Sequence, residues 1–232
     1  MKFLDILYPK RCALCDCVVS GREHPVCLQC RDEVKPITGP RCLRCSKPID
    51  SDEKEVCLDC ERHEFSFDCG FAAFLYCGKI KASIARYKYG GRQEYGRFYG
   101  EMLNLFASSY VTCWKPEVLI PVPVHAGKLS KRGYNQAKVL ADVLGEIWGI
   151  PVDSRSMKRK KKTRAQKNLD PAERRRNLRE AFTLVQEIRY KIVVLVDDIY
   201  TTGSTVETLA RLLKEHGVEK VYFLTVCIGR GL

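Results

Sequence analysis

Two patterns in this chain could do chemistry. The first is Ile192 to Thr205, IVVLVDDIYTTGST. The apolar run Ile192 to Val196 reads as a strand covered on both faces. Asp197 and Asp198 follow at its C-terminal end, where open α/β sheets bind ligands. Thr201, Thr202, Gly203, Ser204 and Thr205 then lead into a helix with apolar positions at Val206, Leu209, Ala210 and Leu213. Free N–H groups at a helix N-terminus, together with the four hydroxyls, can all donate to one phosphate. Gly203 permits the close backbone approach, and the two acids can accept from sugar hydroxyls. A simple capping loop would also be rich in hydroxyls, but it needs no pair of acids before it. The predicted ligand is a sugar phosphate. The lysine of an NTPase P-loop is missing, which excludes that class.

The second pattern is a set of CxxC pairs: Cys12/Cys15, Cys27/Cys30, Cys42/Cys45 and Cys57/Cys60, each starting fifteen residues after the last. Each pair offers two thiolates on a tight turn, and two pairs complete a tetrahedral zinc site. Eight cysteines predict two structural zinc ions. Neighbouring pairs and an interleaved cross-brace both fit the spacing; neighbours close the shorter loop and lose less chain entropy. Cys17 stands outside the regular repeat as a spare thiol that could substitute for a neighbour. Cys69, Cys77, Cys113 and Cys227 lie in apolar contexts and are expected in the core. A disulfide scaffold would require an oxidising compartment, and MKFLDILYPKRC has no signal-peptide pattern. No apolar run is long enough to span a bilayer. The expectation is a cytoplasmic protein with no stable membrane insertion.

Several elements must position these groups. The 232 residues suit a small unit and a medium domain, with the boundary predicted between 1–63 and 64–232. FDCGFAAFLYCG (67–78) reads as one or two strands. A helix begins near Lys79, breaks at Gly90-Gly91 and resumes through Tyr95, Phe98, Tyr99, Met102, Leu103 and Phe106. Glu117 to Val124 is strand-like, and its prolines limit it to an end or a bulge. Ala137, Leu140, Ala141, Leu144, Ile147 and Trp148 mark another helix. Ile150 to Asp153 and Ala181 to Val185 are short candidate strands, and Val221 to Cys227 is the last. Strands separated by helices predict an α/β fold, a parallel sheet flanked by helices.

The net charge of +12 comes mainly from one segment. Residues 155–179 hold twelve Lys/Arg and two acids, Asp170 and Glu173. Lys158, Arg159, Lys160, Lys161 and Lys162 are its densest run and the candidate nucleic-acid contact, since clustered cations give salt-sensitive, sequence-independent affinity. The segment lacks stacking aromatics. Tyr87, Tyr89, Tyr95, Phe98 and Tyr99 lie at helical spacing that favours core packing. Lys88 and Arg92 flank the Gly-Gly turn and either reach an anion or stay solvated.

The stretch around Asp197 resembles the PRPP-binding signature of type I phosphoribosyltransferases, with its hydrophobic run, two acids and TTGST. In that family the acids hold the ribose 2- and 3-hydroxyls, the loop holds the 5-phosphate, and magnesium bridges ribose and pyrophosphate. The match implies those roles for Asp197, Asp198 and Thr201 to Thr205. PVPVHAGKLSKRGYNQA (121–137), KYGGR (88–92), TRAQKNLDPAERRRNLREAF (163–182) and the cysteine repeat together resemble the ComF/GntX family of competence proteins. That resemblance implies a type I phosphoribosyltransferase-like sheet preceded by a double zinc ribbon. It implies a pyrophosphate loop near His125, Lys128 and Arg132, and a lid containing Thr163, Arg164 and Gln166, with Arg175 and Asn177. It also implies work in natural transformation on single-stranded DNA with the competence helicase of the uptake apparatus, at the inner face of the membrane through partners. A metabolic phosphoribosyltransferase is the alternative, although no acceptor-recognition segment stands out. Glutamine-dependent amidotransfer is excluded, because Lys2 follows Met1 where that class needs a cysteine.

Overall fold

The computed structural model describes residues 9–19, 25–160 and 181–230. In chain order the elements are α1 (Leu28–Arg31), α2 (Leu58–Arg62), β1 (Cys69–Leu75), α3 (Gly78–Tyr89), α4 (Tyr95–Trp114) and β2 (Val118–Pro121). There follow α5 (Ala126–Arg132), α6 (Gln136–Trp148), β3 (Met157–Arg159), β4 (Phe182–Leu184), β5 (Ile192–Tyr200), α7 (Ser204–Glu215) and β6 (Lys220–Ile228). The parallel sheet runs β1-β6-β5-β2. The candidate strand at Ile150 to Asp153 contributes a single parallel bridge, Leu119 with Val152, beyond β2. β3 and β4 pair antiparallel as a separate ribbon.

Alternation along the strands divides the core in two. Val194, Val196 and Leu224 pack under α3, α4 and α6. Val193, Leu195 and Phe223 pack under α7. The α4 stripe of Tyr95, Phe98, Tyr99, Leu103 and Ala107 is buried against α6. Gly96 and Gly100 permit this approach: a Cβ at either would lie 2.4 Å from Val139 or Val143.

The cysteine-rich segment does not stand apart. Its few apolar residues cannot form a core, and it borrows both of the sheet's cores. Cys12, Ala13, Leu14 and Cys30 join the α3–α4 side, while Ile37, Cys42, Cys45 and Cys60 join the α7 side. The α3 side chains Ser83 and Arg86 donate to the carbonyls of Ala13 and Leu14. Edge strand β1 is covered as well. Gly70 N–H donates to Arg44 O at 2.9 Å, Ala72 N–H to Ser46 Oγ at 3.3 Å, and Arg41 Nη1 to Ala72 O at 2.8 Å. Backbone groups that would template aggregation are thereby used.

Candidate functional site

The topology sets the site. From β2 the chain crosses through α6 to Val152 on one side; from β5 it crosses through α7 to β6 on the other. The strand order therefore reverses between β2 and β5, and a crevice opens at their carboxyl ends. The last β2–β5 link is Val122 N–H to Val196 O at 2.9 Å. Asp197 and Asp198 lie just past it.

β5 does not stop at Val196. It continues to Tyr200, held by β6 as far as the Tyr200–Ile228 pair. The two acids are thus strand residues and project to opposite faces. Asp198 is buried on the α3 face, where Lys88 Nζ reaches its Oδ2 at 3.1 Å. Burial alone would lower the Lys88 pKa, but the Asp198 and Asp197 charges outweigh it and raise the value. Asp197 is half-buried on the other face, and its Oδ1 accepts from Asp198 N–H at 2.8 Å. Burial first, and the Asp198 charge second, push its carboxyl up to about 8.

Beyond Tyr200 the chain turns at Gly203, φ 78°, into α7. A Cβ there would lie 2.3 Å from Tyr200 Oη, so only glycine fits. No side chain caps α7, and its first-turn N–H groups lack helical acceptors. Thr202 Oγ1 and Ser204 Oγ lie 2.8 Å apart. Thr201 and Thr202 are exposed; Ser204 and Thr205 are half-buried. An anion fits this loop.

Cations gather around Lys88. Burial, then Arg159, Arg132 and Lys88, push the Lys128 ammonium below its ordinary value, although its side chain meets solvent. The Arg132 guanidinium donates to Gln136 Oε1 at 2.9 Å and lies 4.7 Å from the Tyr89 ring centroid. Tyr89 is 73% exposed, unlike Tyr87, Tyr95, Phe98 and Tyr99, which are core as expected. His125 spends its Nδ1 as the α5 cap, accepting from Gly127 N–H at 3.1 Å. Arg92 turns away from the crevice to Asp16, at 2.8 Å. Asn135 caps α6 and also donates to Val122 O at 3.1 Å, which ties that corner to the crevice wall.

The basic segment rises from the β3–β4 ribbon, whose last link is Lys160 N–H to Ala181 O at 2.8 Å. Lys158 and Lys160 face solvent. Alternation turns Arg159 inward over Phe182, with its ring centroid 5.1 Å away. Burial lowers its pKa while Asp197 partly offsets the effect, and Arg159 is half-buried where Lys158 and Lys160 are exposed. Lys161, Lys162, Thr163, Arg164, Gln166, Arg175 and Asn177 lie outside the described residues.

Among the described residues the cysteines form two clusters of four. Cys42, Cys45, Cys57 and Cys60 have sulfurs within 4.8 Å of one another, as do Cys12, Cys15, Cys17 and Cys27. Cys45–Cys57 is 3.5 Å and Cys15–Cys27 is 3.7 Å. Four thiolates about 2.3 Å from one tetrahedral zinc would be spaced at about 3.8 Å, so both clusters fit the ion. Cys17, expected outside, is inside the first cluster, and Cys30, expected as a ligand, is outside that set of four. Of the cysteines expected in the core, Cys227 is buried and Cys69 half-buried, but Cys77 and Cys113 are exposed.

Comparison with known proteins agrees with both halves. Residues 3–61 match the double zinc ribbon domain family and residues 112–231 the phosphoribosyl transferase domain family. Competence protein F of Haemophilus influenzae is 34% identical over 171 residues, 71% of this chain and 75% of that one. The chain belongs to the ComF family. Competence protein ComFC of Bacillus subtilis is 28% identical over 205 residues, 84% of this chain and 80% of that one. DNA utilization protein YhgH of Salmonella typhi is 35% identical over 112 residues, about half of each chain, at 48% and 49%. Membership fits a role in competence and DNA utilization, with a phosphoribosyltransferase-type sheet and zinc-ribbon cysteine sites. Among the described residues no helix is long and apolar enough to cross a membrane.

Of the two residues flanking the Gly-Gly turn, Lys88 reaches the crevice and Arg92 does not. The sequence could not decide between them, because the partner of Lys88 lies 110 positions away.

Proposed function

We propose that the β2–β5 crevice binds PRPP or a related sugar phosphate, and that the protein serves natural transformation by handling single-stranded DNA during uptake. The observation that carries the ligand is the uncapped start of α7 behind Gly203, directly after Asp197 and Asp198 in the switch-point crevice. Thr201 to Thr205 take the 5-phosphate. Asp197 and Asp198 accept from the ribose hydroxyls. Lys88, Lys128, Arg132 and Arg159 face the pyrophosphate end. Magnesium, bound with the ligand, supplies charge neutralisation at the pyrophosphate. Lys128, pushed down by burial and then by its cationic neighbours, is relieved of the second effect when an anion arrives.

DNA contact falls to Lys158, Lys160 and the rest of the 155–179 run other than Arg159. The work takes place in the cytoplasm, at the inner face of the membrane through the uptake apparatus and its helicase. Exposed Tyr89, backed by Arg132, adds an aromatic face beside the crevice. The same face favours a second reading, a metabolic phosphoribosyltransferase whose acceptor stacks there.

Titration calorimetry with PRPP and magnesium, followed by pyrophosphate release across nucleobases and amines, separates the two. Tight binding without turnover favours the competence role. Turnover with one acceptor favours the enzyme. No binding at all removes the sugar-phosphate site from both readings.

A further inference from the structure

The first ribbon holds one thiol more than a four-coordinate ion uses. Cys12, Cys15, Cys17 and Cys27 form a compact set, with Cys15 Sγ 3.2 Å from Cys17 Sγ. Cys30, the partner of Cys27 in its CxxC pair, is a fifth and is buried. Its sulfur accepts from Lys79 Nζ at 3.6 Å, and the same ammonium pairs with Glu33 at 2.5 Å.

The second ribbon provides an internal control. It repeats the first thirty residues later. Cys12 N–H donates to Cys17 O at 2.8 Å, and Cys42 N–H donates to Lys47 O at 2.8 Å. Asp16 and Ser46 share the left-handed conformation, φ 67° and 66°. Bridges Arg11–Val18 and Arg41–Pro48 close the two hairpins alike. Cys17 and Lys47 are therefore equivalent positions. Lys47 ion-pairs with Asp59 beside a cluster of four thiols. At Cys17 the same position adds a thiol, and the cation comes instead from Lys79 on α3.

We propose that the first ribbon's ion exchanges one ligand: Cys12, Cys15 and Cys27 stay bound, while Cys17 and Cys30 alternate in the fourth position. The incoming thiol gives up its proton and the outgoing thiolate takes one, so the exchange needs no oxidant. Lys79, with its Nζ 3.6 Å from the Cys30 sulfur, keeps Cys30 beside the ion when it is released. Cys30 can then let go without loss of the metal, and Cys17 can be modified without loss of the metal. The second ribbon has no such freedom.

Zinc content of the full chain, measured by atomic emission for C17S, C30S, C17S/C30S and C60S, tests this. The expected result is the wild-type content in both single first-ribbon variants and a twofold drop in C17S/C30S and in C60S. A twofold drop in C17S alone or C30S alone makes that cysteine a fixed ligand and overturns the exchange. So does full content in the double variant. Unaltered zinc-loaded protein provides a second readout that requires no variant to fold. Brief N-ethylmaleimide labelling and peptide mass analysis should divide the label between Cys17 and Cys30, with Cys12, Cys15 and Cys27 protected. Label confined to one of the two, or spread to the other three, contradicts the proposal.

Discussion

Removing Lys88 strands a buried carboxylate. K88M leaves Asp198 without its partner, and the expected cost is about 3 kcal/mol, the low end for a buried pair because Lys88 keeps some solvent contact. Urea unfolding measures it, and K88M/D198N should recover most of the loss. Asp197 behaves differently. Its carboxyl is held up at about 8, so between about pH 4 and pH 8 the folded chain binds a proton that the unfolded chain has released. Its contribution to stability is full below that window and is lost as pH rises through it. D197N should therefore unfold roughly 2–4 °C above the parent at pH 8, about a kcal/mol for this length, with the gap closing toward pH 4. A gap that widens on acidification would contradict the burial of Asp197. The acids and the TTGST hydroxyls were legible in sequence because they are contiguous. Lys88 was not, because only the fold brings α3 across to β5.

At the scale of elements, the phosphate loop depends on one backbone angle. G203A forces a Cβ against the Tyr200 hydroxyl at a left-handed φ, at a cost of roughly 1–3 kcal/mol. Phosphate-dependent protection of the chain against thermal unfolding should disappear in this variant while the far-ultraviolet spectrum is retained. Helices α4, α6 and α7 were readable from their periodicity, and each begins within a few residues of its apolar stripe, whereas the short α5 carried no such stripe. The extent of β5 was not. Charge suggested a stop at Val196, but the β6 ladder continues to Tyr200 and sends the two acids to opposite faces. The strand candidate at Ile150 to Asp153 shrank to one bridge, since Pro151 has no N–H to give a ladder.

For the whole molecule, composition suggested a separate cysteine unit, because the absence of a private core is easily read as independence. The structure resolves this by sharing. Each ribbon fills part of one of the two cores, and the second shares its core with Tyr200, just before the ligand loop. The Tyr200 ring stacks on Phe223, with centroids 4.7 Å apart and planes at 7°, and Phe67 meets it edge-on at 6.3 Å. Ser66 Oγ, just past the second ribbon, donates to Glu207 in the first turn of α7 at 2.9 Å. Stripping zinc with a chelator should therefore lower sugar-phosphate affinity at least tenfold before the sheet unfolds, as read by calorimetry beside circular dichroism. Unchanged affinity in the metal-free chain would separate the ribbons from the crevice. Calorimetric titration of the zinc-loaded full chain with PRPP and magnesium reads the crevice without intermediaries. One-site binding that is abolished in D198A and in G203A is the predicted result. No binding to the parent chain, or equal binding by the parent and both variants, would contradict it.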